Sequence, residues 1–275
     1  MLKKCMFNGV LTDSSKAVVR VNDLALLRGY GIFDYFLFRE GRPLFFEDYL
    51  DRFYASAHRL HLPISFSRHE LSQHVLDLIR ANGRRSGGMR LLLTGGYTED
   101  GYQPGQPNLF ILQYGDPGHP PARYEDGVKL LTLRHQREIP EVKTINYLMG
   151  IQMIPRLRKE GALEPLYHDG SHLRESVRSN IFLVDGSGNL ITPSNNILMG
   201  ITRSKVLALA ADICEVEERE VELEEIAGAR EAFLTGSTKK VMPVVQIDDQ
   251  VIGDGKPGEI CRQLMDRFDE LCRGS

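Results

Sequence analysis

The chain has 275 residues, enough for one large domain or two modest ones with cores of their own. Its 34 basic and 37 acidic side chains nearly balance, which argues against a general nucleic-acid or membrane-surface role. No apolar run reaches membrane-spanning length, the start MLKKCMFNGV lacks the apolar core of a secretory leader, and the four scattered cysteines read as reduced thiols, so a cytoplasmic protein is expected.

Residues 4–22 read as two short strands about a turn at Asn8-Gly9, followed by VVRVND. Gly29 and Gly31 mark a tight passage before an alternating strand that turns at Glu40-Gly41-Arg42-Pro43. Phe46 to Leu62 predicts a helix, with Leu50, Phe53, Tyr54, Ala57 and Leu60 at helical spacing. A second helix opens at the capping box Ser67-x-x-Glu70 and stops at Gly83. Predicted strands at Met89–Thr94 and Leu109–Tyr114 flank a loop rich in glycine and proline, 95–107.

Asp116-Pro117-Gly118-His119-Pro120-Pro121 is the best candidate linker. It divides the chain into a small N-terminal domain over 1–116, a linker over 117–122 and a larger domain over 123–275. Beyond it, Val128–Leu133 predicts a strand, 145–160 a helix kinked at Pro155, and Pro165–His168 a strand turning at Asp169-Gly170. A hairpin over 181–192 turns at Asp185-Gly186-Ser187-Gly188. Gly200-Ile201-Thr202-Arg203 then leads into a helix with Val206, Leu207, Ala210 and Ile213 facing inward. A strand, a turn at Gly236-Ser237-Thr238 and a hairpin over 244–252 precede an amphipathic helix beginning near Pro257. Strands and helices mix without strict β-α alternation, so α+β domains are expected rather than a doubly wound sheet.

Two residues stand out chemically. A lone lysine is usually solvated, but Lys143 lies among Ile139, Pro140, Val142, Ile145 and Tyr147. Desolvation there favours the neutral, nucleophilic amine that a Schiff base requires. Glu175 opens the run RESVRSNIF at the mouth of an apolar strand, where a carboxylate is costly without a partner. Set against a pyridine nitrogen it would keep that ring protonated and able to accept electron density from a substrate α-carbon. The cofactor so implied is pyridoxal 5'-phosphate. Gly200 to Arg203 offers a phosphate seat: a glycine, a helix N-terminus and a threonine hydroxyl. Gly236-Ser237-Thr238 is a second hydroxyl-bearing turn, and Arg52 could complete the clamp, although on periodicity alone its place off the apolar stripe favours a solvated arginine. The eight histidines show no metal-ligand spacing, so no metal is expected.

The succession DLALLRGYGIFDY, YLDRFYASA, Lys143-Thr144-Ile145-Asn146, Glu175-x-x-x-Ser179-Asn180-Ile181-Phe182, ILMGITR and FLTGSTKKVMPV resembles the class IV aminotransferases, the fold-type IV pyridoxal-phosphate enzymes. The resemblance spans almost the whole chain. It implies a two-domain α+β protein, the larger C-terminal domain barrel-like, working as a homodimer with active sites at the domain and subunit boundary. Carried onto matching positions, Lys143 is the Schiff-base lysine and Glu175 the partner of the pyridine nitrogen. Arg52, Ile201, Thr202 and Ser237 are phosphate contacts, Leu198 packs on the ring, and Thr238 faces the substrate. Ser179, Asn180 and Gly200 complete the cofactor set. Lys143-x-x-Asn146 is closer to D-amino acid aminotransferases and lyases than to the branched-chain type.

Departures from the family bear on substrate. Asp34 stands where glutamate is usual, Phe33 where D-amino acid aminotransferases have tyrosine, and Tyr49 where histidine is common. The Arg-x-His that grips the α-carboxylate in D-amino acid aminotransferases has no counterpart in loop 95–107. Another cation must therefore hold it. Arg28 (from its own or the partner subunit) and Arg90 are the favoured replacements, with Arg178, Lys239 and Lys240 as further candidates for a positive pocket suited to dicarboxylates. The activity expected is amino transfer between a D-amino acid such as D-glutamate or D-alanine and a 2-oxo acid such as 2-oxoglutarate or pyruvate. Alternatives are a branched-chain L-amino acid aminotransferase, an aminodeoxychorismate lyase, or a cofactor-binding protein without activity.

Overall fold

The computed structural model describes residues 1–274. Two compact units emerge: Met1–Pro117 with Val142–Asn146, and Gly118–Glu141 with the chain from Tyr147 onward. Among the described residues no helix is long and apolar enough to cross a membrane.

The first unit is built on an antiparallel sheet. Strands β1 (Lys4–Phe7) and β2 (Val10–Asp13) join through Asn8 and Gly9, both at positive φ (48° and 80°), the mirror-image turn that suits strand twist. The stretch before Asp23 is irregular, and a five-residue helix α1 (Leu24–Arg28) ends at Gly29, which takes the left-handed conformation. Next come β3 (Gly31–Arg39), β4 (Arg42–Pro43), α2 (Phe46–Arg59), α3 (Arg68–Asn82), β5 (Gly87–Thr94) and β6 (Leu109–Tyr114). The sheet order is β2-β1-β6-β5-β3-β4. The Ser67–Glu70 capping box forms at the start of α3, and Gly83 ends it. Alternation along β3 puts Ile32, Asp34, Phe36 and Phe38 on the buried face, where Phe36 meets Phe46 and Tyr49 of α2. Asp34 thus shares a face with phenylalanines, and Arg52 of α2 answers its charge.

The second unit carries α4 (Ala122–Glu125), β7 (Val128–Arg134), α5 (Leu148–Gln152), α6 (Ile154–Lys159), β8 (Glu164–His168), β9 (Leu173–Ser176) and β10 (Ser179–Val184). After these follow β11 (Leu190–Pro193), α7 (Ile201–Ala210), β12 (Val216–Arg219), β13 (Glu231–Gly236), β14 (Lys240–Ile247), β15 (Gln250–Val251) and α8 (Glu259–Gly274). Instead of the single kinked helix expected over 145–160, two short helices break at Met153, with Pro155 in the first turn of the second. α8 starts two residues past Pro257, and its first N–H groups are capped from a distance: Ile260 and Cys261 donate to the Glu231 carboxylate at 3.1 and 2.8 Å.

Strands β10, β13, β14, β7, β8 and β9 pair in succession, and β9 pairs back onto β10, closing a six-stranded ring. β11 and β12 extend from it at the far end of β10. Leu130, Leu166, Leu173, Ile181, Leu234 and Met242 are fully buried in its core, each contributing about 1.5–3 kcal/mol of apolar burial.

One charged pair is buried in this unit. Glu164 at the head of β8 and Lys239, in the turn before β14, are each 1 % exposed and meet at 2.7 Å. Arg178 donates to the same carboxylate oxygen at 2.8 Å and Ser176 to the other at 2.6 Å. Burial alone would push the Glu164 carboxyl up; the charges of Lys239 and Arg178 and the bonds from Lys239 and Ser176 outweigh it and bring it down to about 2. The sequence offers Lys239 and Arg178 as groups facing a substrate; here both are committed to Glu164, whose burial their charges offset. Lys240, the other candidate in that turn, pairs with Asp269 of α8 at 2.6 Å. Replacing Glu164 by Gln strands a buried ammonium and is expected to cost about 3–5 kcal/mol, read as a large fall in melting temperature. The wild-type contribution of Glu164 should be present above the ordinary carboxyl value of 4.5 and fade as pH falls from there toward 2, whereas Glu164→Gln should show no such loss in an acid titration of stability.

Candidate active site

In the second unit a continuous set of bonds surrounds Glu175. The residue sits on β9 opposite Asn180 of β10, and Asn180 in turn is opposite Thr235 of β13, so the three lie in one row across the sheet. The Glu175 carboxylate is buried and takes Arg137 Nε at 2.8 Å and Nη2 at 2.6 Å on one oxygen. Its other oxygen accepts the Leu198 N–H at 3.1 Å. The Leu198 carbonyl accepts Asn180 Nδ2 at 2.8 Å, so the residue is held from both ends by the two functional side chains. A guanidinium fork of this kind favours the anionic form of the carboxylate it grips.

Two residues on, Gly200 caps α7. A Cβ there would fall 2.1 Å from Asn180 Oδ1, so only glycine lets the helix start this close to β10. Having no side chain, Gly200 leaves the first-turn amides of α7 without a side-chain cap. Thr202 is buried at that first turn, and Ile201 is half-buried. Arg203 turns away, donating to the Pro193 carbonyl at 2.9 Å and pairing with Glu218 at 2.8 Å. Against α7 lies β13, which runs into the turn bearing Ser237 and Thr238, both half-buried. Ser179 lies under that turn, its Oγ 3.4 Å from where a Gly236 Cβ would stand. Glu175, Ser179, Asn180, Leu198, Gly200, Ile201, Thr202, Ser237 and Thr238 therefore all belong to the second unit.

Lys143 belongs to the first unit. Its carbonyl accepts the Phe33 N–H at 2.9 Å, and Ile145 N–H donates to the Gly31 carbonyl at 3.1 Å, so 143–145 add as a short strand to the start of β3. Lys143 Nζ stands 4.9 Å from the centre of the Phe33 ring. On β3's buried face, Arg52 grips Asp34 with Nε at 2.9 Å and Nη2 at 2.6 Å. The opposite face presents Arg90 of β5, stacked on Phe33, Tyr35 and Tyr114 with its carbon 5.3, 5.8 and 5.3 Å from the ring centres. Among the described residues no carboxylate meets Arg90 and no acceptor meets its buried Nε. Burial pushes the neighbouring Tyr35 hydroxyl up to about 12. Arg28 is exposed at the end of α1; one Nη donates to its neighbour's carbonyl and the other lies 3.7 Å from the Cβ position of Gly101, in loop 95–107.

Two residues near this chemistry are not signalled by the sequence. Arg137 sits in a charged loop where nothing local marks it, and its pairing with Glu175 spans 38 residues. Tyr147 follows Lys143 closely; burial first, then the Glu175 and Glu164 charges, raise its hydroxyl to about 12 against the opposing pull of Arg137, so it stays a proton donor at ordinary pH.

Residues 31–247 match the family model for amino-transferase class IV. A protein of Methanocaldococcus jannaschii provisionally named a branched-chain-amino-acid aminotransferase is 32 % identical over 280 residues, covering 98 % of this chain and 96 % of its own. The D-alanine aminotransferase of Bacillus licheniformis is 28 % identical over 266 residues, covering 95 % and 94 %. The solved branched-chain amino acid aminotransferase of Escherichia coli has a TM-score of 0.91 at 26 % identity, over 99 % of this chain and 95 % of that one. With the family pattern matched from β3 to β14 and a closed β-ring carrying its motif residues, this chain belongs to the class IV aminotransferases.

Proposed function

We propose that the chain transfers the amino group between a D-amino acid and a 2-oxo acid, with Lys143 as the residue that carries the cofactor. Class IV aminotransferases use pyridoxal phosphate, and the donor set suits that group. Glu175, kept anionic by Arg137, would face the pyridine nitrogen; the open first turn of α7, Thr202 and Ser237 would hold the phosphate, with Arg52 as the added cation. Leu198 would pack on the ring and Asn180 would keep Leu198 in place. When bound, pyridoxal phosphate draws electron density from the substrate α-carbon and so acidifies its C–H bond. Freed when the substrate amine takes its place on the cofactor, Lys143 Nζ would accept that proton and return it to the cofactor's C4′ carbon, serving as base and then acid. A second, keto acid substrate would be met by the same residues in reverse, so ping-pong kinetics are expected.

The observation that carries the D-amino acid reading is where the cations lie. In the second unit Arg137, Arg178 and Lys239 are each bound to a carboxylate. In the first unit, Arg90 meets none, and Arg28 stands beside loop 95–107 at Gly101. That loop is where D-amino acid aminotransferases place their carboxylate grip, so Arg28 would supply charge on the matching side, with Arg90 as a further cation over the Phe33 ring. A branched-chain L-amino acid aminotransferase is the second reading, favoured by the 32 % identity to the M. jannaschii protein.

Supplying the purified holoenzyme with D- and L-amino acids and 2-oxoglutarate separates the two: conversion of D-glutamate or D-alanine is expected, and turnover of L-valine or L-leucine alone overturns the reading. Pyruvate release from aminodeoxychorismate without any keto acid would mark a lyase instead. Replacing Arg90 by isoleucine should raise KM for the keto acid about ten- to hundredfold, the loss expected for a hydrogen bond to a charged group. Borohydride treatment followed by peptide mapping is expected to leave the pyridoxyl group on the peptide holding Lys143; an adduct elsewhere would falsify the assignment.

A further inference from the structure

Asp23 is fully buried, yet among the described residues every group bonded to its side chain is neutral. Its Oδ1 accepts the Ala25 N–H at 2.8 Å, capping α1; its Oδ2 accepts the Thr94 hydroxyl at 2.8 Å and Asn108 Nδ2 at 2.9 Å. A buried carboxylate without a countercharge is expensive. Capping alone does not explain it, because serine or asparagine would cap a helix as well.

The direction of the surrounding bonds does explain it. Leu109 N–H donates to Asn8 Oδ1 at 2.8 Å, and Asn8 Nδ2 donates to Asn108 Oδ1 at 3.1 Å. This fixes the Asn108 amide with its NH2 toward Asp23, so the group it meets must accept. On the other oxygen the helix amide also donates. Only a carboxylate accepts on both sides. The residues flanking Asp23 are stitched to loop 95–107 as well. Leu24 N–H donates to the Gly96 carbonyl at 3.0 Å, Thr98 N–H to the Asn22 carbonyl at 3.0 Å, and Asn22 Nδ2 to the Thr98 carbonyl at 2.8 Å. Asp23 is therefore the hub joining the end of β5, the start of β6, the loop and α1, and α1 is only about one and a half turns long with Arg28 as its last residue.

We propose that Asp23 is a positioning residue for Arg28: by locking α1 to loop 95–107 it sets where the guanidinium stands for a substrate carboxylate. The inference rests on the reading of Arg28 as a carboxylate holder. With asparagine at 23, an NH2 group would confront that of Asn108, α1 would shift, and Arg28 with it.

The test is a double-mutant cycle on the holoenzyme with Asp23→Asn, Arg28→Ile and both, measuring kcat, KM for 2-oxoglutarate and the Kd of succinate, a non-reacting dicarboxylate. Asp23→Asn alone should raise KM and the succinate Kd about fivefold or more with kcat little changed, and should add less than about twofold in the Arg28→Ile background. The proposal is overturned if Asp23→Asn leaves both constants alone, or if its full factor persists without Arg28, which is what general loosening would produce. Should Asp23→Asn not fold, Thr94→Val, which removes the hydroxyl's bond to Asp23 and the two longer ones it accepts from the Gly96 and Asn108 N–H groups but keeps the carboxylate, carries the same cycle with an expected factor of about two to three. If Arg28→Ile itself changes neither constant, the reading of Arg28 fails first and takes the inference with it.

Discussion

Arg137 and Glu175 pair where β9 turns back onto β10, the contact that closes the six-stranded ring. The barrel needs that closure, and the closure brings a carboxylate into an apolar setting, where two N–H groups of one guanidinium offset the cost of its burial. Because one Glu175 oxygen is occupied by Arg137, the other is available to orient the Leu198 peptide, and through Asn180 and Gly200 the start of α7 is brought to the same place. Electrostatic necessity at one strand junction thus sets the approach to a helix N-terminus through a residue 23 positions further along the chain.

The same rule sorts the remaining arginines and lysines. Glu164 takes Lys239 and Arg178, and Asp34 takes Arg52. A cation already answering a buried acid is held in place and partly neutralised, so it is a poor receptor for a second anion unless the two share it. An arginine can be shared, since its fan of N–H groups outnumbers the oxygens of one carboxylate, and Arg52 meets Asp34 through Nε and Nη2. Lys239 cannot, being enclosed on all sides. Arg90 differs in kind: three aromatic faces stabilise its charge without neutralising it, which keeps a guanidinium half-buried and still attractive to carboxylates.

Much of this is legible in the residues alone, and what is legible is local. The capping box at Ser67, the turn at Asn8-Gly9, the alternation of β3 and the glycine at the head of α7 each state their structure within a few positions. Lys143 and Glu175 are visible because each is a charged residue in an apolar neighbourhood. Hidden are the answers to those charges: Arg137 lies 38 residues from Glu175, and Glu164 meets Lys239 across a stretch that no periodicity connects. Lys239 reads as one half of an exposed Lys239-Lys240 pair, whereas the chain reverses at Lys240, with φ of 55°, and sends the two ammonium groups to different partners, Glu164 and Asp269. Strand β12 is also silent in the sequence, since its four residues, VEER, carry too little apolar signal to declare an edge strand.

Loop 95–107 shows why a missing motif need not mean a missing function. Its neck is so narrow that a Cβ at Gly96 would lie 2.1 Å from the Gln106 carbonyl and one at Gly105 2.0 Å from that of Tyr97. Its tip is folded on itself by Asp100, whose carboxylate accepts the N–H groups of Gln103 and Tyr102 and the Thr98 hydroxyl, bonds that hold the acid below its ordinary range. A loop so committed to its own bonds, with an acid at the tip, is unsuited to presenting an arginine and a histidine to a carboxylate. What it offers instead is a rigid wall, and on the proposed reading that wall and the Asp23 hub together steady Arg28 beside Gly101. The family's grip and this chain's would then differ in which residue bears the charge, and agree in the side from which it is applied.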